Sequence, residues 1–265
     1  MKSGTPVTED NDQRGGPTRG STRLWRKGTL IGLHSQSQHS RTLDLKVPGW
    51  PGHRPGQHID VRLTAPDGYS AQRSYSLAAP VDGNSVSITV DLVPSGEVSP
   101  YLYAVMEICD ELDIRGPIGG WFVWEPGEPE IGDGPVMLIA GGSGVVPLVT
   151  MLRAWRQTGD QTPVILAYSL RGPDDLMYGR ELNELRAVGV DIRLIYTRTV
   201  PDAHRRVAGR LGLDDIAIPA TGQRAERVYV CGPAGFVDHA TALLCAAGYP
   251  DAAIRTERFG PSGAD

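Results

Sequence analysis

The chain has 265 residues, 40% of them hydrophobic, and a formal net charge of −5. At roughly 100–200 residues per domain this is material for two ordinary cores, and the acidic balance argues against general nucleic-acid binding, which leaves a basic footprint. No apolar run approaches the ~18 residues that a membrane span needs, so a cytoplasmic, monomeric protein without a membrane partner is the expectation.

Residues 1–22 hold almost nothing apolar beyond Met1 and Val7. They lack the apolar stretch of a signal peptide and are expected to form a disordered tail. From Leu24 to Trp124 the pattern is short and strand-like: Gly28–Leu33, Thr42–Val47, Gln57–Leu63, Ser74–Ala78, Ser85–Val90 and Glu111–Arg115 alternate or are rich in β-branched residues. Turn signals such as Pro48-Gly49, Pro55-Gly56, Asp67-Gly68 and Asp82-Gly83 separate them. Six short strands at this spacing predict a small antiparallel barrel over 23–127. One stretch departs from it: Ser99–Met106 reads as a short helix, with Ser99 as its N-cap and Pro100 in its first position.

The acidic, Gly- and Pro-rich residues 125–134 mark a domain boundary, and the rhythm then changes. Pro135–Ala140 is a continuous apolar run, as for a strand buried on both faces of a parallel sheet. Further strands are expected at Pro163–Tyr168, Val190–Tyr196, Arg227–Cys231 and Ile254–Phe259. Helices are expected at Pro147–Gln157, Asp174–Val188 and Ala234–Ala247, the last closed by Gly248. This alternation predicts an α/β domain with a parallel sheet over 133–260.

Three cysteines (Cys109, Cys231, Cys245) and six histidines form no cluster with metal-ligand spacing, so no metal is expected. An iron–sulfur centre normally takes four cysteine ligands, which this chain lacks.

Several segments carry chemistry. Arg73-x-Tyr75-Ser76-Leu77 offers a forked cation for a phosphate, a ring two residues on for stacking, and a hydroxyl. Alone it is more often a solvated strand face. Gly96-Glu97-Val98-Ser99 leads a glycine loop into a helix start, a setting for an anion. Gly141-Gly142-Ser143-Gly144-Val145-Val146-Pro147 follows the first strand of the second half. Its glycines let the backbone approach a pyrophosphate, although the G-x-G-x-x-G pattern is absent. Cys231-Gly232-Pro233 lies at the carboxyl end of a strand, where such sheets bind ligands.

In order, Pro55-Gly56-Gln57-His58, Arg73-x-Tyr75-Ser76-Leu77, Gly96-x-Val98-Ser99 and Gly116-Pro117-x-Gly119 resemble the flavin domain of the ferredoxin–NADP reductase superfamily. The Gly-Gly-Ser-Gly-x-x-Pro and Cys-Gly-Pro segments resemble its nucleotide domain, and the likeness runs from Leu24 to Phe259. It implies an FAD-dependent NAD(P)H reductase. FAD would be held by Arg73 on the pyrophosphate, Tyr75 on the ring, Ser76 near N5, and Gly96, Val98 and Ser99. The dinucleotide would be held by Gly142, Ser143, Gly144, Pro147, Gly232 and Pro233. Ser76, Cys231 and Glu257 would surround the point of hydride transfer, while Phe259 either reaches the flavin or packs on the domain interface. Ser169 and Arg171, beyond the second strand of the sheet, favour NADPH over NADH as the substrate. Electrons would pass to a separate ferredoxin, flavodoxin or oxygenase/oxidoreductase component. A reductase that releases free reduced flavin and a non-catalytic flavin-binding regulatory subunit are the alternatives.

Overall fold

The computed structural model describes residues 24–127, 134–217 and 222–260; the expected tail and most of the boundary segment lie outside them. The first half is a six-stranded antiparallel sheet of β1 (Trp25–Ser35), β2 (Ser40–Lys46), β3 (His58–Thr64), β4 (Ser70–Ser76), β5 (Ser85–Asp91) and β6 (Glu111–Ile118), in the order β4-β3-β6-β1-β2-β5. A bridge from Leu77 to Ile88, with the Ala78 N–H donating to the Ser87 carbonyl at 2.7 Å, joins the two edges into a barrel. The seam therefore falls directly after β4, the strand that carries Arg73 to Ser76. Alternation explains the barrel: Leu43, Leu45, Ile59, Val61, Val86, Ile88 and Ile114 point inward and are buried.

The second half is a five-stranded parallel sheet of β7 (Val136–Gly141), β8 (Val164–Leu170), β9 (Asp191–Tyr196), β10 (Arg227–Pro233) and β11 (Ile254–Phe259), ordered β11-β10-β7-β8-β9. Every residue of β7 and β8 is buried, because α1 (Val145–Thr158), α2 (Gly179–Ala187) and α3 (Ala234–Ala246) cover the sheet. Gly159 ends α1 in the left-handed conformation at φ 68°, a common helix stop.

Two helices differ from expectation. In the first half the expected short helix is present as a π-helical turn over Tyr101–Val105, but Ser99 does not cap it. Its hydroxyl instead accepts the Val93 N–H at 3.1 Å and faces the Val93 carbonyl at 3.4 Å, closing the loop behind it. In the second half, α2 begins at Gly179 rather than Asp174. Pro173–Asp175 forms only a 3-10 turn, and Tyr178 is left-handed at φ 58°. That conformation is unfavourable for a bulky residue. It swings the buried Tyr178 ring across the domain boundary, where its hydroxyl meets Thr89 on β5. A tertiary contact has overridden the helical pattern.

Candidate functional site

The site is built from strand ends. On β4, Arg73 lies 3.4 Å from Glu97, whose other oxygen accepts the Tyr69 hydroxyl at 2.6 Å. The fold therefore brings the forked cation to the Gly96–Ser99 loop. Val98 is fully buried in the barrel core, so the loop can offer a ligand only its main chain there. Tyr75 is partly buried against the barrel core. Burial pushes its phenol well above the ordinary value, so it stays neutral.

Ser76 is the register partner of His58 on β3. His58 Nδ1 lies 3.4 Å from Glu257 Oε1 on β11, and Glu257 is the register partner of Cys231 on β10. Four residues from four strands are thus set in sequence across the domain boundary. In the sequence His58 stands out only as the last residue of the Pro55-Gly56-Gln57-His58 segment, with no role of its own. The Cys231 thiol is fully buried. Burial, reinforced by the Glu257 carboxylate and opposed by the Gly232 N–H, pushes its pKa well above the usual thiol range. This is a neutral, packed thiol rather than an activated nucleophile.

The glycine loop crosses above this point. Gly142–Gly144 forms a 3-10 turn that runs into α1, and no side chain caps the helix. The Val145 N–H donates back to the Gly142 and Ser143 carbonyls, and the helix dipole points toward the loop. Gly142 has φ 54° and open space where a side chain would be, whereas a Cβ on Gly144 would overlap the Cys231 carbonyl. Gly141 and Gly232 both face the Phe236 ring of α3, which a Cβ on either would strike at 2.6–2.7 Å. Pro147 is buried in α1. Phe259, opposite Pro233, packs half-buried against the nucleotide-domain core.

Ser169, the last residue but one of β8, is the register partner of Gly141, and Arg171 follows the strand on the surface. The N–H groups of Arg198 and Thr199, beyond β9, donate to the Arg171 carbonyl at 2.9 and 3.1 Å. The exposed Arg198 thus becomes a neighbour of Arg171 that sequence order did not reveal. Half-buried Asp91 sits near Arg171, and its carboxyl is held above the ordinary value by burial and then by Asp175.

The donor set suits both cofactors. It offers one forked cation beside a glycine loop on the barrel, a partly buried phenol ring next to it, and an uncapped helix start at an open positive-φ glycine on the sheet. Among the described residues no His, Cys, Asp or Glu group could hold a metal ion, and no helix is long and apolar enough to cross a membrane.

Comparison with known proteins agrees with this geometry. Residues 27–123 match the model of an oxidoreductase FAD-binding domain, and residues 138–242 that of an oxidoreductase NAD-binding domain. The FAD/NAD-binding domain of nitric oxide dioxygenase from Vibrio cholerae is similar in structure, with TM-score 0.77 and 25% identity over 89% of this chain and 99% of that one. An NADPH oxidoreductase of Mycobacterium tuberculosis is 31% identical over 89% of this chain and 60% of its own length. A glycine betaine monooxygenase reductase subunit of Pseudomonas aeruginosa is 28% identical over 79% of this chain and 57% of its own length. The chain thus spans less than two thirds of these curated relatives. A barrel that binds FAD, joined to a parallel sheet that binds NAD(P), defines a class of flavin- and nicotinamide-dependent oxidoreductases. Within that class, the chain belongs to the ferredoxin–NADP reductase superfamily.

Proposed function

We propose that the protein takes electrons from NADPH, in preference to NADH, and passes them through FAD to a separate redox protein, such as a ferredoxin or an oxygenase component. The observation that carries this reading is the meeting of Ser76, His58, Glu257 and Cys231 across the domain boundary. FAD, when bound, accepts a hydride from the nicotinamide and gives up electrons singly. The residues bind, orient and shield. Arg73 and the Gly96–Ser99 main chain would hold the flavin's pyrophosphate, Tyr75 would stack on its ring, and Ser76 would offer its hydroxyl to it. Gly142 to Gly144 and the start of α1 would hold the dinucleotide's pyrophosphate. Buried Cys231 would back the nicotinamide site, and Glu257 with His58 would form the ionisable edge through which a proton can pass. Arg171 and Arg198 supply two cations for a 2′-phosphate. The three cysteines cannot ligate a four-cysteine cluster, so the chain has no such centre of its own to take the electrons.

The test is anaerobic titration of the purified, flavin-loaded protein with NADPH and with NADH, followed by addition of a ferredoxin. Bleaching of the flavin, faster with NADPH, and reoxidation by the added protein are expected. A flavin that neither nucleotide bleaches would overturn the reading. Bleaching followed by release of reduced flavin would overturn the transfer to a protein.

A further inference from the structure

The nucleotide domain grips the flavin strand at one place. Thr150, fully buried on α1, donates its hydroxyl to the Leu77 carbonyl at 2.7 Å. Arg153, one turn further on, donates to the Ala78 carbonyl. Its remaining nitrogens fork onto Glu181 of α2 at 2.8 and 2.6 Å, and its guanidinium lies over the Tyr178 ring. Leu77 and Ala78 follow Ser76 directly. Their N–H groups are held inside the barrel, by the Gln57 carbonyl at 2.9 Å and the Ser87 carbonyl at 2.7 Å. These two residues therefore have their donors in one domain and the partners of their acceptors in the other. The same helix α1 starts at the glycine loop. Thr150 stands five positions after Val145, a rise of about 7.5 Å along the helix.

We infer that Thr150 and Arg153 are positioning residues that set the approach of the nicotinamide to the flavin, by fastening the strand end behind Ser76 to the helix whose start holds the dinucleotide. This rests on the reductase reading above. A helix is stiff over one and a half turns, so a displacement of the dinucleotide at its start is carried to Leu77 and Ala78 rather than absorbed. Side-chain adhesion alone could have joined the domains anywhere on their shared face. The domains are also bonded at Thr89 and at the Val123 carbonyl, but the bonds from α1 fall on the two main-chain carbonyls that follow the serine, at the seam where β4 leaves the sheet. Glu181 and Tyr178 hold Arg153 in its rotamer, so α2 belongs to the same clamp.

The variants are Thr150→Val, which keeps shape and loses the donor, Thr150→Ser, which restores the donor, and Arg153→Lys, which keeps the charge and loses the fork. The first measurement is amide hydrogen exchange of the peptide spanning residues 74–80 in the flavin-loaded protein without nucleotide. Leaving a buried carbonyl unpartnered costs enough to speed exchange there by roughly tenfold in Thr150→Val. Thr150→Ser should return to the wild-type rate and Arg153→Lys should fall between. The second measurement is the long-wavelength absorbance band that NADP+ induces in the dithionite-reduced protein. It should weaken in Thr150→Val and Arg153→Lys and recover in Thr150→Ser, while the Kd for NADP+ stays within about threefold of wild type, well under the tenfold that 1.4 kcal/mol represents. Unchanged exchange in Thr150→Val overturns the clamp. A weakened band with equally weakened NADP+ binding overturns the positioning role, because the residues would then serve binding alone. Exchange that responds as expected, in a wild type that shows no band at all, overturns the reductase reading and with it the link to nicotinamide approach.

Discussion

Gly144→Ala probes how closely the glycine loop is seated on β10. Gly144 has φ −61° and ψ −10°, which alanine adopts freely, so backbone strain contributes nothing. The added methyl would overlap the Cys231 carbonyl oxygen and stand 2.5 Å from its carbon and 2.8 Å from the Gly232 nitrogen. Those are main-chain atoms of an interior strand bonded on both sides, and they have no rotamer to turn away. The cost is that of an overpacked core, about 1–3 kcal/mol, which for a protein of this size lowers Tm by roughly 2–5 °C. Relief can come only by lifting the loop, so NADPH affinity should fall as well. Gly142→Ala is the contrast: with φ 54° and no atom within 4 Å, it pays about 1–2 kcal/mol for a left-handed backbone and displaces no neighbour. Calorimetry and NADPH titration of the two variants check this. A Gly144→Ala protein that keeps the wild-type Tm and NADPH affinity would refute the close seating.

Three further outcomes are expected. Arg73→Ala should weaken FAD binding to the apoprotein by roughly ten- to a hundredfold, the worth of a charge-assisted hydrogen bond, and leave riboflavin binding unchanged; fluorescence titration measures both, and an equal loss for the two would count against a pyrophosphate role. Replacing Arg171 or Arg198 by alanine should lower kcat/KM for NADPH by about tenfold, or 1.4 kcal/mol, without lowering it for NADH. At alkaline pH the buried acids set the sign. Cys231 is raised well above the thiol range, and Tyr178 is pushed up to about 12, mainly by burial. The folded state thus holds protons that the unfolded state has released. Their stabilising contribution is complete below the unfolded values, about 8.5 for a thiol and 10 for a phenol. It is lost as pH climbs past them toward the folded values. Tm should therefore decline above about pH 8.5, and Cys231→Ser should flatten the first part of that decline.

Much of the architecture was legible in the residues because its signals are local. Inward alternation in Leu43–Leu45 or Val86–Ile88, and the unbroken apolar run before Gly141, report burial without knowledge of neighbours. The glycine loop and Cys231-Gly232-Pro233 were legible for the same reason. What escaped depends on contacts distant in sequence. Tyr178 leaves the helical conformation for a partner 89 residues away. His58 gains its meaning from Glu257, on the last strand. Arg198 meets Arg171 only because β8 and β9 lie side by side. Thr150 and Arg153 look like ordinary helix residues until the Leu77 and Ala78 carbonyls arrive. Ser99 shows the converse: a good capping residue by type, it spends its hydroxyl on Val93 because the turn beyond it is π-helical.

At two places the barrel's share of the domain interface is main chain, beside the side-chain contacts of Thr89 with Tyr178, His58 with Glu257 and Phe122 with Tyr229. Thr150 and Arg153 bond the carbonyls of Leu77 and Ala78, and Tyr229 and Arg255 both bond that of Val123, at 2.9 and 2.8 Å. A carbonyl is present whatever the side chain, so substitutions at these barrel positions leave the acceptors in place. At these positions the recognition information lies in the nucleotide half, whereas Thr89, His58 and Phe122 are barrel side chains that an exchange has to keep. A chimera that joins residues 134–260 to the barrel of a diverged relative should keep its two halves in register, provided the main-chain path after β4 and these three side chains are preserved.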